Sequence, residues 1–248
     1  MNKTILTTAC LATLGLAATA GTASAAAVTA DADAFLQFNA ITSASTGTNG
    51  TADFVSVRDN ATNANRRSAV ARFTPDAGDA GVSDGSTLSF TVQTTNPIAA
   101  GETVTINLYG ALDGSVEDDL DESTYSGAIA QALDDGGNGV DESFIFNGTD
   151  PALRLLDSIT LTATPNVDDT LVFSGTNLDS FVTSVTNSAT DDDLSFILTL
   201  DSTQNYEIKL DSQNDADGSA PALSVAVPEP ASLALLGRGG LGLLRRRK

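Results

Sequence analysis

Acidic side chains in turn-rich segments are the groups in this sequence that could do chemistry. The chain has 32 Asp and Glu residues against 12 Lys and Arg, no histidine, and a formal net charge of −20. Carboxylate oxygens in loops are the ligands that Ca²⁺ prefers in proteins. Four segments concentrate them: residues 113–122, 134–142, 191–193 and 211–217. Structural calcium is therefore the one cofactor that the sequence suggests.

The closest approach to a calcium-binding motif is QNDADG, residues 213–218. It resembles the start of an EF-hand loop, but Gln213 replaces the first Asp and Ser224 replaces the last, bidentate Glu. Asp and Asn also form turns and keep a surface soluble, so a purely structural role for this loop stays open. The candidate metal ligands are Asp211, Asp215 and Asp217.

The common catalytic arrangements lack their usual side chains here. Cys10 is the only cysteine, and it lies in a segment that we expect to be removed on export. Without histidine and cysteine, nucleophilic triads and most zinc sites are excluded. Paired carboxylates could hydrolyse glycosides, but acidic residues are so abundant that their presence discriminates nothing. We therefore expect no catalytic residues and no enzymatic activity.

The charge of the chain limits its binding partners. Residues 26–226 hold 31 acidic and six basic residues, which leaves a formal charge of −25. Such a surface repels the phosphates of nucleic acids, so we expect no nucleic-acid partner. An acidic polysaccharide would need a local arginine cluster or bridging calcium. The candidate arginines are Arg58, Arg66, Arg67 and Arg72. Ion pairing with the abundant carboxylates is their alternative role.

Sugar binding would depend on tyrosine, because the chain has no tryptophan. Sugars dock by stacking on flat aromatic faces, with polar groups fixing their orientation. Tyr109 and Tyr206 fall in strand-like runs, where a tyrosine usually packs with its hydroxyl at the edge. Tyr125 lies in a polar loop and is the candidate stacking residue. The ten phenylalanines are better explained as core residues.

The elements that would position these side chains are β-strands. Apolar and polar residues alternate along residues 88–92, 104–108 and 194–200, among other runs. Alternation puts apolar side chains on one face of a strand, and turn clusters such as residues 84–86 separate the runs. We predict an all-β fold in which about ten strands form two antiparallel sheets packed face to face.

One segment, TNLDSFVTSVTNSA, departs from the strand pattern. Thr176 can cap a helix here, and Asp179 suits its first turn. Four apolar residues have the i, i+3, i+4, i+7 spacing of a helix face: Leu178, Phe181, Val182 and Val185. We predict one short amphipathic helix across the end or face of the sandwich.

Three segments occur in an order that is typical of one family of secreted domains. They are FVSVRDNATNANRRSAVARFTP, DGSVEDDLDESTY and the closing NYEIKLDSQNDADGSAPALSV. Their order resembles the DNRLRE-type domain, a jelly-roll module classed among carbohydrate-binding modules. The resemblance implies a non-catalytic sandwich, and some members bind acidic polysaccharides such as alginate. Members usually carry tryptophans near the Glu-Ser-Thr segment, where this chain has Leu120 and Tyr125, and an Arg where it has Ala222.

The start of the chain has the pattern of a secretory signal peptide. Lys3 precedes a small, apolar run over residues 5–20, and Ala23-Ser24-Ala25 follows as an A-x-A cleavage pattern. We predict cleavage after Ala25. The predicted organisation is a signal peptide over residues 1–25, the β-sandwich over 26–226, and a separate segment over 227–248.

The end of the chain combines a short motif, an apolar run and a basic terminus. VPEPASLALLGRGGLGLLRRRK resembles the PEP-CTERM sorting signal. The motif is Pro228, Glu229 and Pro230, and the basic terminus is Arg245, Arg246, Arg247 and Lys248. The resemblance implies a membrane-embedded exosortase, which is thought to cut near the motif and pass the protein to the cell surface or extracellular matrix.

The apolar run over residues 231–244 is a poor permanent anchor. Fourteen residues span about 21 Å as a helix, against about 30 Å of hydrocarbon. Arg238 lies within the run and costs about 2.5–3.5 kcal/mol on insertion scales. Basic terminal residues stay on the cytoplasmic side. We therefore expect only transient inner-membrane contact, in a membrane-tethered precursor.

Two functions are compatible with these features. The first is an exported surface or matrix protein whose sandwich binds extracellular polysaccharide. The second is a purely structural surface-coat or biofilm component without a specific sugar ligand. Aromatic-poor loops favour the second, whereas the DNRLRE-type resemblance favours the first.

Overall fold

The structure is a computed structural model, and it describes the chain in nine ranges. These are residues 25–39, 44–48, 52–59, 66–75, 85–111, 153–186, 193–202, 205–216 and 218–226. All of them belong to one compact unit that spans Ser24–Pro228. The predicted signal peptide up to residue 24 and the sorting segment over 227–248 lie outside the described residues.

Twelve strands lie within the described ranges, so the prediction of a mostly β fold is confirmed. They are β1 Ala25–Thr29, β2 Ala32–Asn39, β3 Ala44–Thr48, β4 Phe54–Asp59, β5 Arg66–Phe73, β6 Thr87–Thr95, β7 Val104–Ala111, β8 Leu153–Leu161, β9 Thr170–Ser174, β10 Leu194–Ser202, β11 Tyr206–Asp211 and β12 Ala222–Ala226. The expected number was about ten.

The strands form a curled antiparallel sheet. Their order along it is β1-β12-β6-β11-β4-β5-β10-β7-β8, with β9 beside β6, β2 beside β5 and β3 beside β2. The first half of β6 pairs with β12 and β9, and its second half pairs with β11. The register with β11 shifts between Lys209 and Leu210. Because a bulge of this kind bends a strand, it contributes to the curl. The finer division into a two-sheet jelly roll stays a prediction.

The curled sheet encloses an apolar core. Leu88, Phe90 and Val92 alternate with polar residues on β6 and are at most 2% exposed. The Phe196 ring lies 5.7 Å from the Phe73 ring and 5.5 Å from the Phe181 ring, both in edge-to-face geometry. Aromatic pairs prefer this geometry because a ring edge is positive and a ring face negative. The interpretation of phenylalanine as a core residue is confirmed for these side chains.

Helix α1, Thr176–Thr186, lies where the apolar spacing predicted it. Its predicted inner residues are at most 4% exposed: Leu178, Phe181, Val182 and Val185. The carboxylate of Asp179 accepts hydrogen bonds from the backbone N–H groups of Gly85 (3.1 Å) and Ser86 (2.7 Å). This side chain therefore ties the helix to the start of β6. No helix in the described part of the chain is long and apolar enough to cross a membrane.

Gly110 on β7 leaves the space that the Phe181 ring occupies. A Cβ atom at this position would lie 2.6–2.8 Å from three atoms of that ring. Carbon atoms pack at about 3.5–4.0 Å, so such an atom would displace the ring. Glycine is therefore required here by the close approach of the helix to the sheet.

We predict that Gly110→Ala lowers the free energy of unfolding by about 1–3 kcal/mol, the usual penalty for overpacking a core. Urea denaturation followed by circular dichroism measures it. The control is the same substitution in a Phe181→Leu background. In that background Gly110→Ala should cost less stability, because the smaller leucine side chain relieves the clash. The double variant should therefore lose less stability than the two single variants lose in sum. Simple additivity would contradict the proposed contact.

Candidate functional site

Two of the candidate arginines share one carboxylate at the centre of the sheet. Arg67 Nη1 lies 2.5 Å from Glu207 Oε1, and Arg58 Nη1 lies 4.0 Å from Glu207 Oε2. Ser56 Oγ also donates to Glu207 Oε1, at 2.9 Å. The register dictates this arrangement, because Arg58 on β4 pairs with Glu207 on β11 and with Arg67 on β5. Glu207 thus offsets the repulsion between two neighbouring cations.

A third candidate arginine, Arg72, makes its ion pairs away from this cluster. Arg72 donates to both carboxylate oxygens of Asp31, at 3.2 and 3.3 Å, and lies 3.9 Å from Asp193. It is five residues from Arg67 along β5, or about 17 Å at the rise of a strand. Arg66 is the first residue of β5, and its side chain lies outside the described residues. The three candidate arginines whose side chains are described are in ion pairs, and anion binding by the four candidates stays a prediction.

A stack of cations and aromatic rings lies beside the arginine pair. The Phe35 and Phe54 rings are stacked, with centroids 5.5 Å apart. Arg67 lies 5.2 Å from the Phe35 centroid, and Lys209 Nζ lies 4.0 Å from the Phe54 centroid. A cation over the face of an aromatic ring is attracted by its quadrupole. No local pattern in the sequence indicates this stack, since four different strands supply its members.

Neither described tyrosine presents its ring to a ligand. Tyr206 is fully buried, and its hydroxyl shares a hydrogen bond of 2.5 Å with Thr95 Oγ1. Tyr109 is 6% exposed. Burial raises the pKa of both phenols, and the nearby Asp201 carboxylate raises the pKa of Tyr109 further. Tyr125, the candidate stacking residue, lies outside the described residues, and its role stays a prediction.

The carboxylates of the predicted calcium loop accept hydrogen bonds within the domain. Asp211 accepts the N–H of Ser219 at 3.0 Å, and Asp215 accepts a hydrogen bond from Gln93 Nε2 at 3.1 Å. Both carboxylates crowd Gly218, where a Cβ would lie 2.6 Å from Asp215 Oδ2 and 2.8 Å from Asp211 Cγ. These contacts hold the turn after β11.

No three acidic side chains within the described ranges are grouped so that they could hold a metal ion. Asp217, the third candidate ligand, lies outside those ranges. Calcium binding by Asp211, Asp215 and Asp217 therefore stays a prediction. The hydrogen bonds that Asp211 and Asp215 accept are those of a structural turn.

Strands β1 and β12 bring the two ends of the domain together. Ala25 lies opposite Ala226, and the pairing continues to Thr29 opposite Ala222. β12 also pairs with β6, but only through Ala222, Leu223 and Ser224. The predicted signal-peptide cleavage site, after Ala25, therefore falls at the strand end that adjoins residues 227–248.

Residues 226–248 match the PEP-CTERM protein-sorting motif. The chain carries a PEP-CTERM sorting signal. The prediction made from Pro228, Glu229, Pro230 and the basic terminus is thereby confirmed. The match overlaps the β domain only at Ala226, and the likeness of that domain to the DNRLRE-type domain stays a prediction. No curated protein matches the chain significantly.

The PEP-CTERM signal defines the destination of the protein. It is recognised by an exosortase, so the chain is an exported protein that is sorted to the cell surface. The match begins at Ala226, the last residue of β12. The signal therefore follows the folded domain with no intervening linker.

We predict that Glu207→Gln lowers the free energy of unfolding by about 1–3 kcal/mol. The positive charge of Arg67 would then be largely buried without the negative charge of Glu207 beside it. The Arg67 and Glu207 side chains are 19% and 18% exposed. Asp31→Asn is the matched control. The Asp31 side chain is 38% exposed, and its variant should change stability by less than about 1 kcal/mol. Equal effects of the two substitutions in urea denaturation would contradict the central role of Glu207.

We predict that the contribution of Tyr109 and Tyr206 to stability is constant up to about pH 10 and falls at higher pH. The folded-state pKa of each buried tyrosine is raised, so the unfolded state loses its phenolic protons first. Stability is thus fully present below the unfolded pKa and is lost as pH rises through the folded pKa.

The double variant Tyr109→Phe/Tyr206→Phe should show a shallower decline in urea midpoint between about pH 9 and about pH 11. At neutral pH it should be less stable by about 1 kcal/mol per lost hydrogen bond. An unchanged alkaline decline would show that other groups cause it.

Proposed function

We propose that the protein is a non-catalytic structural component of the cell surface or extracellular matrix. The observation that carries this proposal is the direct continuity of the last strand with the sorting motif at Ala226. A signal placed there delivers one β domain to the outside of the cell. The domain itself is then the functional part of the sorted protein.

The contacts of the described candidate residues support a structural role. Arg58, Arg67 and Arg72 are in ion pairs, and Tyr109 and Tyr206 are buried. Releasing any of these groups to hold a sugar would cost the interactions that they make inside the domain. The formal charge of −25 on residues 26–226 favours a strongly hydrated, mutually repelling surface. These are properties of a soluble coat.

Polysaccharide binding is the second candidate function. It rests on the DNRLRE-type resemblance and on Tyr125 and Arg66, whose side chains lie outside the described residues. An acidic glycan would approach a surface of the same sign. It would therefore need these two residues or bridging calcium to overcome the repulsion.

We predict that the purified mature protein is not retained on alginate or other uronate gels at physiological salt. The physical reason is repulsion between two acidic polymers, in a domain where Arg58, Arg67 and Arg72 are in ion pairs. Affinity electrophoresis with and without calcium measures the retention.

Tyr125→Ala and Arg66→Ala are the informative variants, and Thr170→Ala, at an exposed position of β9, is the control. Retention that Tyr125→Ala or Arg66→Ala abolishes, and that Thr170→Ala preserves, would replace the structural proposal by polysaccharide binding.

A further inference from the structure

The residues just before the sorting motif are part of a β-ladder. Val227 is the single residue between the end of β12 and Pro228. Proteolysis concentrates in exposed, poorly ordered segments, and a paired strand resists it until it opens locally. An exosortase that cuts near Pro-Glu-Pro therefore meets a folded barrier directly upstream.

The last two residues of that ladder are held by β1. Ser224 is the last residue of β12 that pairs with β6, opposite Thr87. Within the described residues, Val225 and Ala226 pair with β1 through Ala26 and Ala25. The end of the chain next to the motif can therefore leave the sheet only when β1 releases it.

Strand β1 is also the weaker member of the pair. Leu223 and Val225 of β12 are fully buried in the core. Val28 of β1 is only partly buried against that core, while Ala27 and Thr29 are exposed. Local opening starts in elements with few buried apolar contacts. Of the two paired strands, β1 is thus the one that opens first.

Removal of the signal peptide shortens the same pair. Cleavage after Ala25 would separate this residue from the domain and leave Ala26 opposite Val225 as the first pair. Ala226 then loses its ladder partner in β1. The N-terminal cut would therefore add one unpaired residue directly before Val227 and the motif.

We propose that β1 controls the processing of the sorting signal. Exosortase gains access to the chain before Pro228 when the β1–β12 pair opens, and signal-peptide removal eases this opening by taking away the Ala25–Ala226 pair. The proposal rests on the sorting of this chain by an exosortase.

A cross-strand disulfide tests the proposal in the full-length chain. Ala27 and Ser224 lie directly opposite each other, one exposed and one partly exposed. Opposite Cα atoms of an antiparallel pair are about 4.5–5.5 Å apart, within the range that a disulfide spans. Cys10 is the only native cysteine and precedes the predicted cleavage site, so Ala27→Cys/Ser224→Cys introduces the only thiols of the mature protein.

The measurement is a pulse-chase experiment in a host that contains an exosortase. Conversion of the precursor to the shortened form should slow about tenfold or more when the disulfide is oxidised, because cleavage of an opened segment follows the population of the open form. A reducing agent should restore the rate. Val28→Ser, which weakens the inner contact of β1, should speed the conversion about twofold to tenfold.

Thr91→Cys/Thr170→Cys is the matched control, since it joins β6 to β9 by the same chemistry without involving β12. It should leave the conversion unchanged. Equal rates in the two oxidised variants, whether both slow or both normal, would overturn the control by β1. Absence of shortening in the unsubstituted chain would instead contradict the exosortase sorting on which the proposal rests.

Discussion

The pairing of β6 is the interaction on which the rest of the structure depends. This strand pairs with β12 and β9 through its first half and with β11 through its second half, so it joins β1, β12 and β9 to the other strands of the sheet. Its inner side chains, Leu88, Phe90 and Val92, are nearly fully buried. Asp179 of the helix holds the two residues that precede the strand. The helix, β12 and β11 are therefore all attached to β6 or to the two residues before it.

Carboxylates supply much of the polar structure of a domain that has no thiol after residue 10. Asp179 and Asp33 each accept a backbone N–H from a distant part of the chain, and Asp211 accepts one from Ser219 in the turn that follows it. Hydrogen bonds to ionised acceptors are stronger than those between neutral groups. This use explains part of the acidic composition without a metal or a substrate. It also shows why the density of Asp in a loop is a poor guide to function, because the same oxygens can bind Ca²⁺ or hold a turn.

The elements with strong side-chain periodicity were predictable from the sequence, and those without it were not. Alternation identified β6, and the i, i+3, i+4, i+7 spacing identified the helix and its inner face. β1 (AAAVT) and β3 (ASTGT) have no such alternation, because small residues carry little information on which face is buried. β10 is buried along residues 194–200 on both faces, although its sequence alternates.

The contacts of the candidate site could not be predicted from local sequence patterns either. Ion pairing is a role that composition alone predicts for the arginines, since carboxylates outnumber them. The partner of each arginine depends on pairings between strands that are far apart in sequence, such as β4 with β11. The Phe35–Phe54 stack with Arg67 and Lys209 likewise requires the register of several strands. Local patterns contain no information on these long-range choices.

The position of the chain ends connects this fold to its sorting. β1 and β12 lie nearly 200 residues apart in sequence, yet they pair along their full length. β12 is synthesised last, so β1 has no partner in this pair until the rest of the body has been made. The same short ladder then adjoins both the predicted signal-peptide site and the PEP-CTERM motif. Completion of the fold and the state of both ends are thus linked through five residue pairs.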